Sequence, residues 1–146
     1  FPGGRSDDTD ADAVHTALRE AEEEVGLAPA AVNVLGNLPP LWLPPSNHAV
    51  TTVLGYWPHS HPLQARSPDE VESVLAVPIA ELLDPARRFS VMHSSGWVGP
   101  AFDVGLSVPL WGFTAGVLAR LFEYVGWERP WDASRVVDVS SFMREE

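Results

Sequence analysis

An α/β fold is what this sequence predicts, on three observations. Two stretches repeat their apolar residues at helical spacing, Val14–Val25 near the start and Val108–Val125 towards the end. Between them lie short β-branched and aromatic runs bounded by Pro, Gly, Asn and Ser, which is the pattern of strands and turns. The chain has 146 residues, 45% of them apolar, enough for one core and about one domain's worth. A single domain over residues 1–146 is expected, with no internal repeat and no low-complexity linker.

The elements follow in order. With about 100° of turn per residue, Val14, Ala17, Leu18, Ala21 and Val25 form one apolar stripe. Asp10 or Asp12 can cap the helix start, and Gly26 followed by Leu27 suits a left-handed stop. Ala31–Leu38 alternates as a strand does. Pro39–Asn47 reads as a proline-rich loop pinned to the core by Trp42, with stacking on a nucleobase as the functional alternative. His48–Trp57 is a β-branched and aromatic strand, and Val74–Val77 is a second one, after a loop. Ile79–Leu83 makes a short helix that stops near Asp84-Pro85. Phe89–His93 and Trp97–Phe102 form a hairpin through Ser94-Ser95-Gly96. Pro109 suits the first turn of the long helix Val108–Val125, and Gly126 can end it. Val136–Val139 fits an edge strand or a partner contact, and Arg144-Glu145-Glu146 is expected to fray.

Composition excludes several functions. A net charge of −11 argues against binding a nucleic-acid backbone, which needs clustered Lys and Arg. The absence of cysteine removes disulfides, a thiol nucleophile and cysteine zinc sites. No run approaches the 18 or so apolar residues of a membrane span, and no signal peptide opens the chain. A cytoplasmic address is the simplest expectation.

The acids of the first helix carry the chemistry. Glu20, Glu23 and Glu24 fall within an arc of about 100° opposite the apolar stripe, whereas Glu22 faces solvent. Glu20 and Glu24 repel across one turn, at a cost of about 0.2–0.5 kcal/mol. All three lie near the negative end of the helix dipole. A hard divalent cation reverses both penalties, and oxygen ligands beside substrate phosphates are what Mg²⁺ prefers. A solvated acidic face is the alternative reading of such a run. His59 and His61 sit in a Pro-bounded loop, where their side chains are not expected to converge on a metal. His93, in a hairpin, is a candidate general base.

The flanking residues decide between these readings. Pro2-Gly3-Gly4 upstream and Arg19-Glu20-Ala21-Glu22-Glu23-Glu24-Val25-Gly26-Leu27 downstream resemble the Nudix hydrolase box. That box runs glycine, five residues, an acid, seven residues, then R-E-U-x-E-E-x-G-U, with U aliphatic. Here the first acid is Asp10, and eight residues separate it from Arg19. The resemblance implies an α/β/α sandwich with a mixed sheet. It also implies Mg²⁺ or Mn²⁺ held by Glu20, Glu23 and Glu24, with the Gly3 carbonyl as a further ligand. Arg19 then orients a catalytic-helix carboxylate through a salt bridge, with Asp10 as a less regular partner because of the insertion.

Three fragments are similar to the coenzyme A pyrophosphatase branch: Thr16-Ala-Leu-Arg-Glu-Ala21, the segment Glu70–Leu83, before which Ser67 stands where the branch has Asn, and Trp111-Gly-Phe-Thr-Ala-Gly116. In the second, Glu70 is a further metal ligand or the base that takes a proton from water; a solvent-facing loop acid is the alternative. Asp69 and Glu72 are weaker candidates. The branch implies hydrolysis of coenzyme A or its thioesters to phosphopantetheine (or its acyl form) and adenosine 3′,5′-bisphosphate. ADP-ribose or another nucleoside diphosphate derivative is the rival substrate, and a non-catalytic nucleotide-binding module is the rival class. A homodimer is the family-level expectation. The chain opens on the Phe1-Pro2-Gly3-Gly4 turn, so the family's N-terminal strands and an Arg- and Ser-containing recognition segment are expected to precede it in a longer protein.

Overall fold

The computed structural model describes residues 1–44 and 46–143. The expected fraying of Arg144-Glu145-Glu146 and the Pro45 position of the proline-rich stretch lie outside the described residues. The fold is mixed α/β, with α-helices α1 (Ala13–Val25), α2 (Ile79–Leu82) and α3 (Gly112–Tyr124) among seven short strands in the described residues. The chain divides into two compact units, Phe1–Leu75 and Ala76–Glu146.

In the first unit, the Asp12 side chain caps α1 by accepting from the His15 N–H at 2.8 Å. Gly26 ends the helix at φ 74°, a conformation that glycine adopts without the Cβ penalty of other residues. The Leu27 N–H then folds back to the Ala21 carbonyl at 3.2 Å, as the Gly-Leu pair predicts. Strand β1 (Asn33–Asn37) pairs antiparallel with β4 (Val53–Tyr56), with a bulge between Val34 and Gly36.

Three expectations are corrected here. The proline-rich stretch is not only loop, because β2 (Leu41–Leu43) pairs with β3 (His48–Val50) in a short hairpin. Trp42 does not pin it, being 58% exposed. The single strand expected over His48–Trp57 is split into β3 and β4 at Thr51-Thr52, because its two ends pair with different partners.

In the second unit, β5 (Arg88–Met92) is the centre of a mixed three-stranded sheet. It pairs antiparallel with β6 (Val98–Phe102) and parallel with β7 (Val136–Asp138), which forms the sheet edge. The Ser94-Ser95-Gly96 turn joins β5 to β6 as expected, with Gly96 at φ 84°. Phe102 and Leu110 exchange backbone hydrogen bonds at 2.9 Å each, and this holds the chain extended past Pro109. The long helix therefore starts at Gly112 rather than Val108. One core joins α3 to the sheet through Phe102, Ala115, Leu118 and Phe122, with Leu82 of α2. A second cluster gathers Phe89, Val91, Ala101 and Val139.

The strand expected over Val74–Val77 is absent, since no described backbone pairs with it and a strand exists only by its ladder. Among the described residues the strands make three small sheets, of which β6-β5-β7 is mixed. No helix among the described residues is long and apolar enough to cross a membrane.

Candidate functional site

Arg19 is the hub of the first unit. Its guanidinium grips Asp10 with two bonds, Nε to Oδ1 at 3.0 Å and Nη2 to Oδ2 at 2.9 Å. Nη1 donates to Glu20 Oε1 at 3.3 Å and to Glu23 Oε2 at 3.2 Å, and Nη2 reaches the Arg5 carbonyl at 3.1 Å. A planar fork of five donors can grip one carboxylate with two bonds and still serve other acceptors, a geometry that an ammonium does not offer. Asp10 is thus a full partner of Arg19 despite the insertion, because the residues before α1 fold back along it.

That fold-back is built from side chains. The Asp10 carboxylate is 1% exposed and also accepts from the Asp7 N–H at 2.8 Å and the Thr16 hydroxyl at 2.9 Å. The Arg19 guanidinium, followed by the Asp7 amide and the Thr16 hydroxyl, holds the Asp10 carboxyl far below the usual carboxylate range. Thr16 is buried and also shares a hydrogen bond with Ser6 at 3.0 Å. Neither Thr16 nor Ser6 stands out in the sequence as a site residue. The available signal was position, since Thr16 precedes Glu20 by one helical turn.

The glutamates occupy three environments. Glu24 is buried, 9% exposed, while the Glu20 side chain is 15% and that of Glu23 57% exposed. Burial pushes the Glu24 carboxyl above its ordinary value, and the negative charges of Glu20 and Glu70 add to the effect, against the Gly3 backbone amide. Gly4 packs directly on the Glu20 carboxylate, and a Cβ there would overlap it. This contact gives a physical reason for the second glycine of the turn.

Glu70 is brought up by a tether. The Gln64 and Arg66 N–H groups donate to the Val25 and Glu24 carbonyls at 3.2 and 2.7 Å, laying the loop along the end of α1. A turn closed by Ser67 then presents Glu70, which is exposed but lies within electrostatic range of Glu24. Asp69 and Glu72 are exposed with no described ion pair. His61 sits edge-on against Trp57 at 4.9 Å, and His59 is exposed. His93, in the second unit, bonds Ser95 within its own hairpin.

Among the described residues, no three acidic or His side chains already converge as a metal cage. The reason is visible: Arg19 draws Glu23 outward while Glu24 turns in. The donor chemistry still fits a hard divalent cation. Glu20, Glu23 and Glu24 offer only oxygen, and the Glu24 carboxyl, raised first by burial and then by the negative charges of Glu20 and Glu70, carries a penalty that a cation would relieve.

The NUDIX domain model matches residues 1–93. The "Uncharacterized Nudix hydrolase NudL" of Escherichia coli (strain K12) is 42% identical over 130 residues. The alignment takes in 86% of this chain and 66% of that protein. The protein of the same name from Shigella boydii serotype 4 (strain Sb227) is 41% identical over the same shares. This chain therefore spans a little under two thirds of the length of these relatives. From residues 1–93, which include α1 and the Arg19 network, the chain belongs to the Nudix domain family.

Proposed function

We propose that this chain hydrolyses the phosphoanhydride of a nucleoside diphosphate derivative, with coenzyme A or its thioesters as substrate. The products are phosphopantetheine (or its acyl form) and adenosine 3′,5′-bisphosphate. One observation carries the reaction class: a single guanidinium holds Asp10, Glu20 and Glu23 beside the buried Glu24. The three fragments similar to coenzyme A pyrophosphatases support the choice of substrate.

Glu20, Glu23 and Glu24, with Gly3, would hold Mg²⁺ or Mn²⁺. When bound, such an ion supplies charge neutralisation for the diphosphate and activation of water. The chain's own residues do the rest. Arg19 fixes the angle of the Glu20 and Glu23 carboxylates, and Asp10 fixes Arg19 in turn. Gly4 leaves the turn close enough to cover Glu20. Glu70, within electrostatic range of Glu24 and free of ion pairs among the described residues, takes the proton of the attacking water. The water oxygen bonds to one phosphorus as the bond from that phosphorus to the bridging oxygen breaks, and the other phosphate departs. The same reading takes residues 1–146 as one domain of the sandwich type, acting as a cytoplasmic homodimer.

The test is product analysis with coenzyme A, ADP-ribose and a nucleoside triphosphate, each with Mg²⁺ or Mn²⁺, on the wild type and on Glu24→Gln. Adenosine 3′,5′-bisphosphate from coenzyme A is expected, reduced more than about 100-fold in the variant. Cleavage of ADP-ribose alone would keep the reaction and remove the substrate. No turnover by a folded protein would leave a nucleotide-binding module.

A further inference from the structure

We propose that the second unit holds a binding pocket for a compact organic oxyanion, a carboxylate or phosphate monoester on a flat apolar body, received by the edge of the Arg88 guanidinium. The pocket shares no residue with the Arg19 network. It is an open cavity of about 480 Å³ between β5, β6, α3 and the segment after α3, within the size range of small-molecule sites.

Arg88 is the anomaly that points to a ligand. Its side chain is only 1% exposed. Its guanidinium carbon lies 4.3 Å from the Phe102 ring centre and 4.5 Å from that of Trp131, so two aromatic rings flank it. The five N–H donors along its edge remain, and they are poorly served. Nη1 and Nη2 both reach one Glu128 oxygen, at 3.5 and 3.4 Å, and Nε has no partner. Charge-assisted bonds of this kind normally run at about 2.7–2.9 Å. The same Glu128 oxygen also accepts from the Trp131 indole N–H at 3.3 Å, so it is shared among three donors. A guanidinium cannot shed its proton to escape burial, and an under-bonded buried charge is strongly unfavourable. A two-oxygen acceptor meeting the edge of Arg88 would supply what Glu128 lacks.

The rest of the cavity selects the body of the ligand. The Trp97 ring lies against Gly99, where a Cβ would overlap it, and so presents an aromatic surface. On α3, Gly116 leaves open space beside this surface. Arg120 and Glu123 line the pocket with opposite charges, which favours a compact anion over a polyanion.

The experiment follows the Trp131 indole N–H by NMR in the intact 146-residue chain, titrated separately with phenyl phosphate, benzoate and inorganic phosphate. A saturable shift with phenyl phosphate or benzoate below about 1 mM is expected, and the better of the two identifies the oxyanion. Gly116→Leu should abolish the shift without lowering the melting temperature, because its side chain enters open space and leucine favours the helix. Glu128→Gln should tighten binding about fivefold by removing the internal competitor. No saturable shift, or one that survives Gly116→Leu, would overturn the pocket and leave Arg88–Glu128 as an internal strut. Inorganic phosphate binding as well as phenyl phosphate would overturn the role of the aromatic surface.

Discussion

The two units are of similar length and are held together by different means. Of the twelve buried apolar residues described, Ala21 and Val25 lie in the first unit and ten in the second. The first unit buries Thr16 and Glu24 on the same helix as its two apolar residues, and its ion pairs converge on Arg19. The second unit packs Phe102 and Phe122 edge to face between helix and sheet. Packing supplies order in one unit, whereas in the other a polar network orders the residues assigned to chemistry. Such a network also tolerates the repulsion among Glu20, Glu24 and Glu70 that a site requires.

The sharpest way to break the contrast is Phe102→Ala. This residue is fully buried, touches Phe122 and lies under the Arg88 guanidinium. A loss of about 3–5 kcal/mol is expected in urea unfolding. A loss below about 1 kcal/mol would mean that the second unit does not depend on its core.

Arg19→Lys is the matching test in the first unit. A lysine offers one point charge and cannot grip Asp10 while reaching Glu20 and Glu23. The proposed hydrolysis should fall about 10–100-fold, with its divalent-cation requirement moved to higher concentration. An unchanged dependence on the divalent cation added would reduce Arg19 to a structural ion pair.

The smallest effect separates two carboxyls of opposite sign. The folded-state pKa of Asp10 is depressed, so its contribution is present above the unfolded value near 3.9 and is lost as pH falls towards the folded value. Glu24 is raised, so it weakens the fold as pH climbs past about 4.3. Asp10→Asn should therefore flatten the fall in melting temperature below about pH 5 and leave the neutral plateau's slope unchanged. Equal acid limbs in the wild type and the variant would contradict the Asp10 assignment.

What the sequence disclosed follows the range of the interactions. Helix α1, its Asp12 cap and its Gly26 stop depend on residues within a turn or two of each other, and all three were legible. The β5–β6 hairpin was legible for the same reason. The start of α3 was not, because Leu110 is held extended by Phe102 on a neighbouring strand. The β2–β3 hairpin was hidden by the prolines around it. Within the site, the residue types on α1 were readable from their spacing, and the resemblance named Arg19 as their organiser. The inward turn of Glu24 and the outward turn of Glu23 were not readable, because a helical arc does not say which side Arg19 will claim. Thr16 was missed for a related reason: its partners Ser6 and Asp10 come from a fold-back that has no regular period.

The stop at Gly26 has a consequence for how this chain can vary. By ending α1 there, it leaves the Glu24 and Val25 carbonyls free to accept from Arg66 and Gln64. The Arg66 side chain also lies where a Cβ on Gly26 would be. The described backbone hydrogen bonds thus fasten the loop that carries Glu70 to the helix itself. Between Leu27 and Gln64 the chain can lengthen or shorten its excursion while the fastening point stays put. Insertions and deletions are therefore expected to collect in that stretch, and the segments on either side of it to keep their length.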